Sequence, residues 1–210
     1  MTDTSLETDD LVGDTESGVS RVVGWALTVG GLLGLWAATI LTIDKISLLQ
    51  DKIDGKTTQL ACNLNAFVSC SSVMDSDQAH VFGFANSIFG VAAFAVVLIL
   101  GVLMVARVEL PEFVWVGLQA GVVFGIGFVT WLQYQSIYDI GKLCPYCMVV
   151  WAAMIPTFVV VTARNLRSWA PGSAISRFVS DWTLLIVVLW YVAVIAAIWF
   201  HFGSNLWAKA

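Results

Sequence analysis

Five long apolar stretches, separated by short polar links, leave this chain essentially one architecture. Lipid offers no partners to backbone N–H and C=O groups, so each stretch must satisfy its own by coiling into a helix. The stretches cover about residues 22–43, 82–106, 113–135, 144–163 and 182–202. Each can cross about 30 Å of hydrocarbon at about 1.5 Å per residue. Hydrophobic residues make up 59% of the 210 and charged ones 12%, with mean hydropathy +0.84. No soluble domain of this size hides so much apolar surface. The expected fold class is an all-α membrane protein with five transmembrane helices. No basic patch points to nucleic acid.

Residues 1–20 carry six carboxylates and no Lys or Arg, which predicts an acidic, disordered tail. The tail lacks the basic start of a signal peptide, so the first span is expected to be retained. Residues 44–81 form the longest polar segment after it. Ile46, Leu49 and Ile53 recur there at helical spacing and extend the first span. Two glycine patterns offer close-packing faces: Gly30-x-x-x-Gly34 in span one and, as the stronger seam, Gly117, Gly121 and Gly125 in span three. Span five has no internal glycine and is expected at the edge of the bundle. Residues 164–181 read as a polar link with a turn at Pro171-Gly172. Trp169, Trp182 and Trp207 suit interfacial belts.

The chemistry sits in four cysteines. Cys144-Pro145-Tyr146-Cys147 opens span four, with Pro145 suited to the first helical position and Cys144 at the N-cap. A thiolate there feels the positive end of the helix dipole and unpaired backbone donors, which lower its pKa. Lys142 adds a positive charge nearby. Two cysteines at this spacing can close a small, readily exchanged disulfide; a zinc half-site or an accidental pair is the alternative. Cys62 and Cys70, with seven residues between them, permit a loop disulfide, catalytic or merely a staple.

Span count places both pairs on one side of the membrane. Orientation by charge is a tie: Arg21, Arg107, Arg164, Arg167 and Arg177 fall on one side, and Lys45, Lys52, Lys56, Lys142 and Lys209 on the other. Cysteine pairs suit an oxidising compartment. The amino terminus is therefore expected in the cytoplasm and the cysteines outside it.

Two pairs on one face suggest a relay. Electrons enter as thiols at a polar loop, pass by thiol–disulfide exchange, and leave at the bilayer to a lipid-soluble quinone. A quinone needs an apolar slot and a donor or two for its carbonyls. Asn86, an amide near the start of span two, is the candidate donor. Phe89, Tyr146 and Trp151 are candidate aromatic walls.

The order of Cys-x7-Cys, then Phe-x-x-Asn-Ser-Ile-Phe-Gly, then Cys-x-x-Cys resembles the vitamin K epoxide reductase family, and within it the bacterial members that support disulfide formation. The resemblance covers about residues 20–163. It implies a four-helix bundle around a quinone of menaquinone or ubiquinone type, residues 21–163 here, with 164–210 adding a cytoplasmic link and a peripheral fifth helix. It implies that Cys62 meets a partner protein, that Cys70 exchanges with Cys144, and that Cys147 stands beside the quinone. Asn86 takes the carbonyl-binding position and Ser76 a loop-supporting one. The implied activity is oxidation of a thioredoxin-like or DsbA-like extracytoplasmic protein, acting in trans, at the cell membrane. Trp151 stands where vertebrate members carry a ring-binding Tyr, which argues against epoxide reduction. Two alternatives remain at this stage: a quinone or vitamin K epoxide reductase, and a non-catalytic membrane protein with structural or metal-binding cysteines.

Overall fold

The structure is a computed structural model that describes residues 4–55, 60, 62–64 and 67–206, with side chains described for those between 21 and 203. Lys56, Trp207 and Lys209, which the sequence places on a side or at an interface, lie outside the described residues. Seven α-helices follow one another among the described residues: α1 Thr4–Ile53, α2 Cys70–Met74, α3 Asn86–Val105, α4 Glu112–Tyr134, α5 Pro145–Trp169, α6 Ala174–Asp181 and α7 Thr183–Leu206. A 3₁₀ turn covers Asp77–His80, and a π-turn, Gln135–Asp139, continues α4. Five of the helices are long and apolar enough to cross a membrane.

The backbone of α1 is helical from Thr4, where composition predicts an unstructured tail. A helix already nucleated by an apolar span adds residues at little cost. At its other end α1 continues to Ile53, as the spacing of Ile46, Leu49 and Ile53 predicts. The stretch Arg21–Ile53 has 33 residues, roughly 50 Å of helix at 1.5 Å per residue. Its last turns therefore rise above the hydrocarbon and carry Leu48 into a cluster with Cys62, Cys70 and Cys144.

Helix α1 packs on α3 and α5, and α5 packs on α4. Glycine makes the first contact possible. A Cβ at Gly31 would lie 2.6 Å from the backbone N of Leu98, and one at Gly101 would lie 2.5 Å from that of Thr28. The seam expected in span three behaves otherwise. A Cβ at Gly117 or Gly121 would meet nothing within 4 Å, because these glycines line a cavity. Of that series only Gly125 faces a neighbour, Met154. The repeat marks one face of the helix correctly, but that face borders a void.

Helix α7 docks outside the bundle, on α5, as expected of a span, about residues 182–202, that holds no glycine. Pro156 lies inside α5 and has no N–H for the carbonyl four residues back, that of Ala152. The Tyr191 hydroxyl of α7 donates to that carbonyl at 2.6 Å. The link 164–181 is more ordered than a polar turn. Helix α5 runs through to Trp169 and α6 follows, with Ser173 as its N-cap accepting from the Ser176 N–H.

Candidate redox site

The loop after α1 is held by its own polar side chains. Asn63 Oδ1 accepts from Ser69 Oγ at 3.0 Å and from the Ser71 N–H at 3.2 Å, while its Nδ2 donates to Ser71 Oγ at 2.9 Å. Ser69 also caps α2 by accepting from the Ser72 N–H. This network folds the segment back on itself, and Cys62 and Cys70 form a disulfide with their Cα atoms 5.7 Å apart.

A single parallel β-bridge, Val68 to Leu143, joins this loop to the segment before α5. The Leu143 N–H donates to Phe67 O at 2.8 Å, and the Ser69 N–H donates to Leu143 O at 3.0 Å. Each segment is followed at once by a cysteine. Cys70 and Cys144 are thereby set side by side, both fully buried, with Sγ atoms 3.3 Å apart. Cys144 is the N-cap residue of α5, with extended backbone and Pro145 next. Its thiol is held below the usual value by a hydrogen bond from the Cys147 side chain. Burial opposes this shift, and the backbone N–H groups of Cys147 and Tyr146 add to it. Cys144 and Cys147 are free thiols.

An ion-pair clamp fixes the far side of α2. Lys45, buried on α1, donates to Met74 O at 2.8 Å and pairs with Asp75 at 3.4 Å; Lys52 pairs with the same carboxylate at 2.9 Å. Burial alone would push the Asp75 carboxyl up, but Lys52 and Lys45 outweigh it and hold it below the ordinary range. Cys62 is buried, and its Sγ lies 4.0 Å from an Asp44 carboxylate oxygen.

Beneath the sulfurs lies an apolar cavity of about 620 Å³ bounded by α1, α3, α4 and α5, within the size range of small-molecule sites. Cys147, Trp151, Asn86, Phe89 and Ser76 all line it. Asn86 Nδ2 donates to Gln78 O at 2.7 Å, while its Oδ1 is buried without a hydrogen-bond partner among the described residues. That amide keeps an acceptor and a second N–H for a ligand. The lining fits a quinone: Asn86 would offer a ring oxygen its free N–H or acceptor, and Phe89, Trp151 and Cys147 border the space a ring would fill. Ser76 Oγ donates to Val73 O at 2.7 Å and so steadies the turn after α2. Tyr146 is not among the lining residues. Its ring stands edge-on to Trp36, 5.8 Å between centroids, because one residue before Cys147 on a helix is about 100° away around the axis.

Among the lining residues that sequence reasoning does not single out are Lys45, Phe124 and Phe128. Lys45 enters the sequence analysis as a charge that bears on orientation, yet it borders the cavity while its ammonium is engaged by Met74 O and Asp75. Phe124 and Phe128 form an aromatic group with Phe82 and Phe89. Their four-residue spacing was the available signal, but such spacing is also ordinary core packing.

The family model described as the vitamin K epoxide reductase family matches residues 25–162, from α1 well into α5. The chain belongs to this family. No match is found among curated proteins. Family membership makes the protein a multi-pass membrane oxidoreductase of the disulfide and quinone type, working with a thiol-redox partner. Proteins of the family act with quinones. Helices α6 and α7 lie beyond the matched residues.

Proposed function

We propose that the protein reoxidises an extracytoplasmic thioredoxin-like (DsbA-like) protein in trans and passes the electrons to a membrane quinone of menaquinone or ubiquinone type. It would thereby support disulfide formation in exported proteins, as the bacterial members of the family do. In this reading the protein sits in the cell membrane, with its amino terminus cytoplasmic and its four sulfurs outside. The observation that carries it is the 3.3 Å approach of Cys70 to Cys144, with Cys147 on the cavity wall.

The steps balance as follows. A partner thiolate attacks Cys62 Sγ, forming a mixed disulfide and breaking the Cys62–Cys70 bond. The Cys70 thiolate attacks Cys144 in the oxidised Cys144–Cys147 pair, and Cys147 leaves as a thiolate. The partner's second thiol displaces Cys62. Cys62 then attacks Cys70, restoring the loop disulfide and leaving Cys144 and Cys147 reduced, the arrangement in the structure. A quinone at the cavity would supply the two-electron acceptor, and Cys144 and Cys147 would close to a disulfide as they give up two electrons and two protons.

Replacing Cys144 or Cys147 by Ala should abolish quinone reduction by a reduced thioredoxin-like protein, and retained turnover would refute the relay. Cys62→Ala should block that protein while a small dithiol still reduces the inner pair. Impermeant thiol labelling from the cytoplasmic side should leave the four cysteines untouched; labelling there would reverse the proposed orientation.

A further inference from the structure

Helix α7 lies outside the matched family region, yet its end reaches the loop that carries Cys70. Phe202 is buried at 2% exposure. Its ring stands edge-on to Phe67, 6.1 Å between centroids and 70° between planes. Phe67 is the loop residue whose carbonyl receives the Leu143 N–H. Leu143 is buried in the same hydrophobic cluster as Phe202. The neighbouring His201 ring packs on Tyr138 at 5.1 Å. Tyr138 belongs to the π-turn Gln135–Asp139. In that turn Ser136 Oγ donates to Lys142 O at 2.5 Å, and Ser136 O accepts from the Lys142 N–H at 3.1 Å. The last turns of α7 thus brace both halves of the bridge, the loop side through Phe202 and the side preceding Cys144 through His201. Earlier in the same helix, Tyr191 ties α7 to α5 through the carbonyl that Pro156 leaves without a partner.

We propose that Phe202 is a positioning residue for sulfur exchange: through Phe67 it holds the loop in the register that brings Cys70 to Cys144. It touches neither quinone nor sulfur. Its contribution is confined to the exchange between the two cysteine pairs and leaves the electron transfer from Cys147 alone. The proposal rests on the exchange reading of the site.

The test uses the full chain in detergent with quinone. Phe202→Ala should slow turnover with a reduced thioredoxin-like protein by about threefold to tenfold, the effect of losing one edge-on aromatic pair. Quinone reduction by a small dithiol in a Cys62→Ala/Cys70→Ala background, which has no loop sulfur to exchange, should be unchanged by Phe202→Ala. Phe202→Tyr should restore the rate. In a Cys147→Ala background, where Cys70 partitions between Cys62 and Cys144, Phe202→Ala should lower the Cys70–Cys144 fraction seen by mass spectrometry. Phe67→Leu should add little to Phe202→Ala, since both remove the same contact. Equal loss in the small-dithiol assay would show a merely structural role and overturn the proposal, as would an unchanged partition. Failure of the exchange reading itself looks different: Cys70→Ala would then retain turnover with the partner protein.

Discussion

Gly31→Ala is the sharpest test of how this bundle is built. The new Cβ would lie 2.6 Å from Leu98 N and 2.7 Å from Leu98 Cα, both backbone atoms that no rotamer change can move. Relieving the clash to an ordinary separation of about 3.5 Å requires α1 and α3 to part by about 0.9 Å. Forced insertions of this kind cost about 1–3 kcal/mol. Alanine also gains up to about 1 kcal/mol over glycine in a helix, which would mask part of the loss. Gly117→Ala is the control, because its Cβ meets nothing within 4 Å and it receives the propensity gain alone. The difference between the two variants therefore isolates the clash, and should be about 1–3 kcal/mol with Gly31→Ala the less stable. Reversible unfolding in mixed micelles, followed by circular dichroism, measures it. Equal stability of the two variants would refute the assignment of Gly31 to the packing face and Gly117 to the cavity.

Three further outcomes are expected. With the loop disulfide intact, Cys147→Ala should raise the Cys144 pKa and Cys147→Ser, whose hydroxyl still donates, should keep it low; identical thiolate absorbance curves would contradict the hydrogen-bond origin of the shift. Asp75 has a lowered folded pKa, so its stabilisation is present above the unfolded carboxylate value of about 3.9 and disappears as pH falls through the lower folded value. Asp75 is partly exposed, so the effect on α2 hydrogen exchange should not exceed about 1 kcal/mol, and Asp75→Asn should remove that pH dependence; a dependence that survives would rule out the clamp. Asn86→Ala should raise KM for quinone by about tenfold, the worth of one buried hydrogen bond, and leave the Cys70–Cys144 exchange rate unchanged; an unaltered KM would exclude Asn86 from the ring.

The spans were legible because the bilayer imposes one strong rule, apolar length, and the chain obeys it five times. The cysteine chemistry was legible for a different reason. Two spacings and a parity argument put Cys62, Cys70, Cys144 and Cys147 at one surface, and the structure brings the first three into one cluster with Cys147 beside them. What failed was the choice of neighbour. Periodicity states that Gly117, Gly121 and Gly125 share a face; it is silent on whether that face meets a helix or a void. Tyr146 is one residue from Cys147, yet its ring meets Trp36, because a helix sends adjacent residues in different directions. The bracing of the loop by Phe202 had no local signal, since it joins residues separated by more than half the chain.

The parallel bridge between Val68 and Leu143 has a kinetic consequence. Because hydrogen-bonded backbone carries Cys70 and Cys144 together, the inner transfer of the proposed relay would be a reaction between fixed groups, with the high effective concentration that fixed geometry confers. No chain search precedes it, and dilution leaves it untouched. In the proposed relay turnover would then be governed at the two ends, where a soluble protein would arrive from water and an oily carrier from lipid.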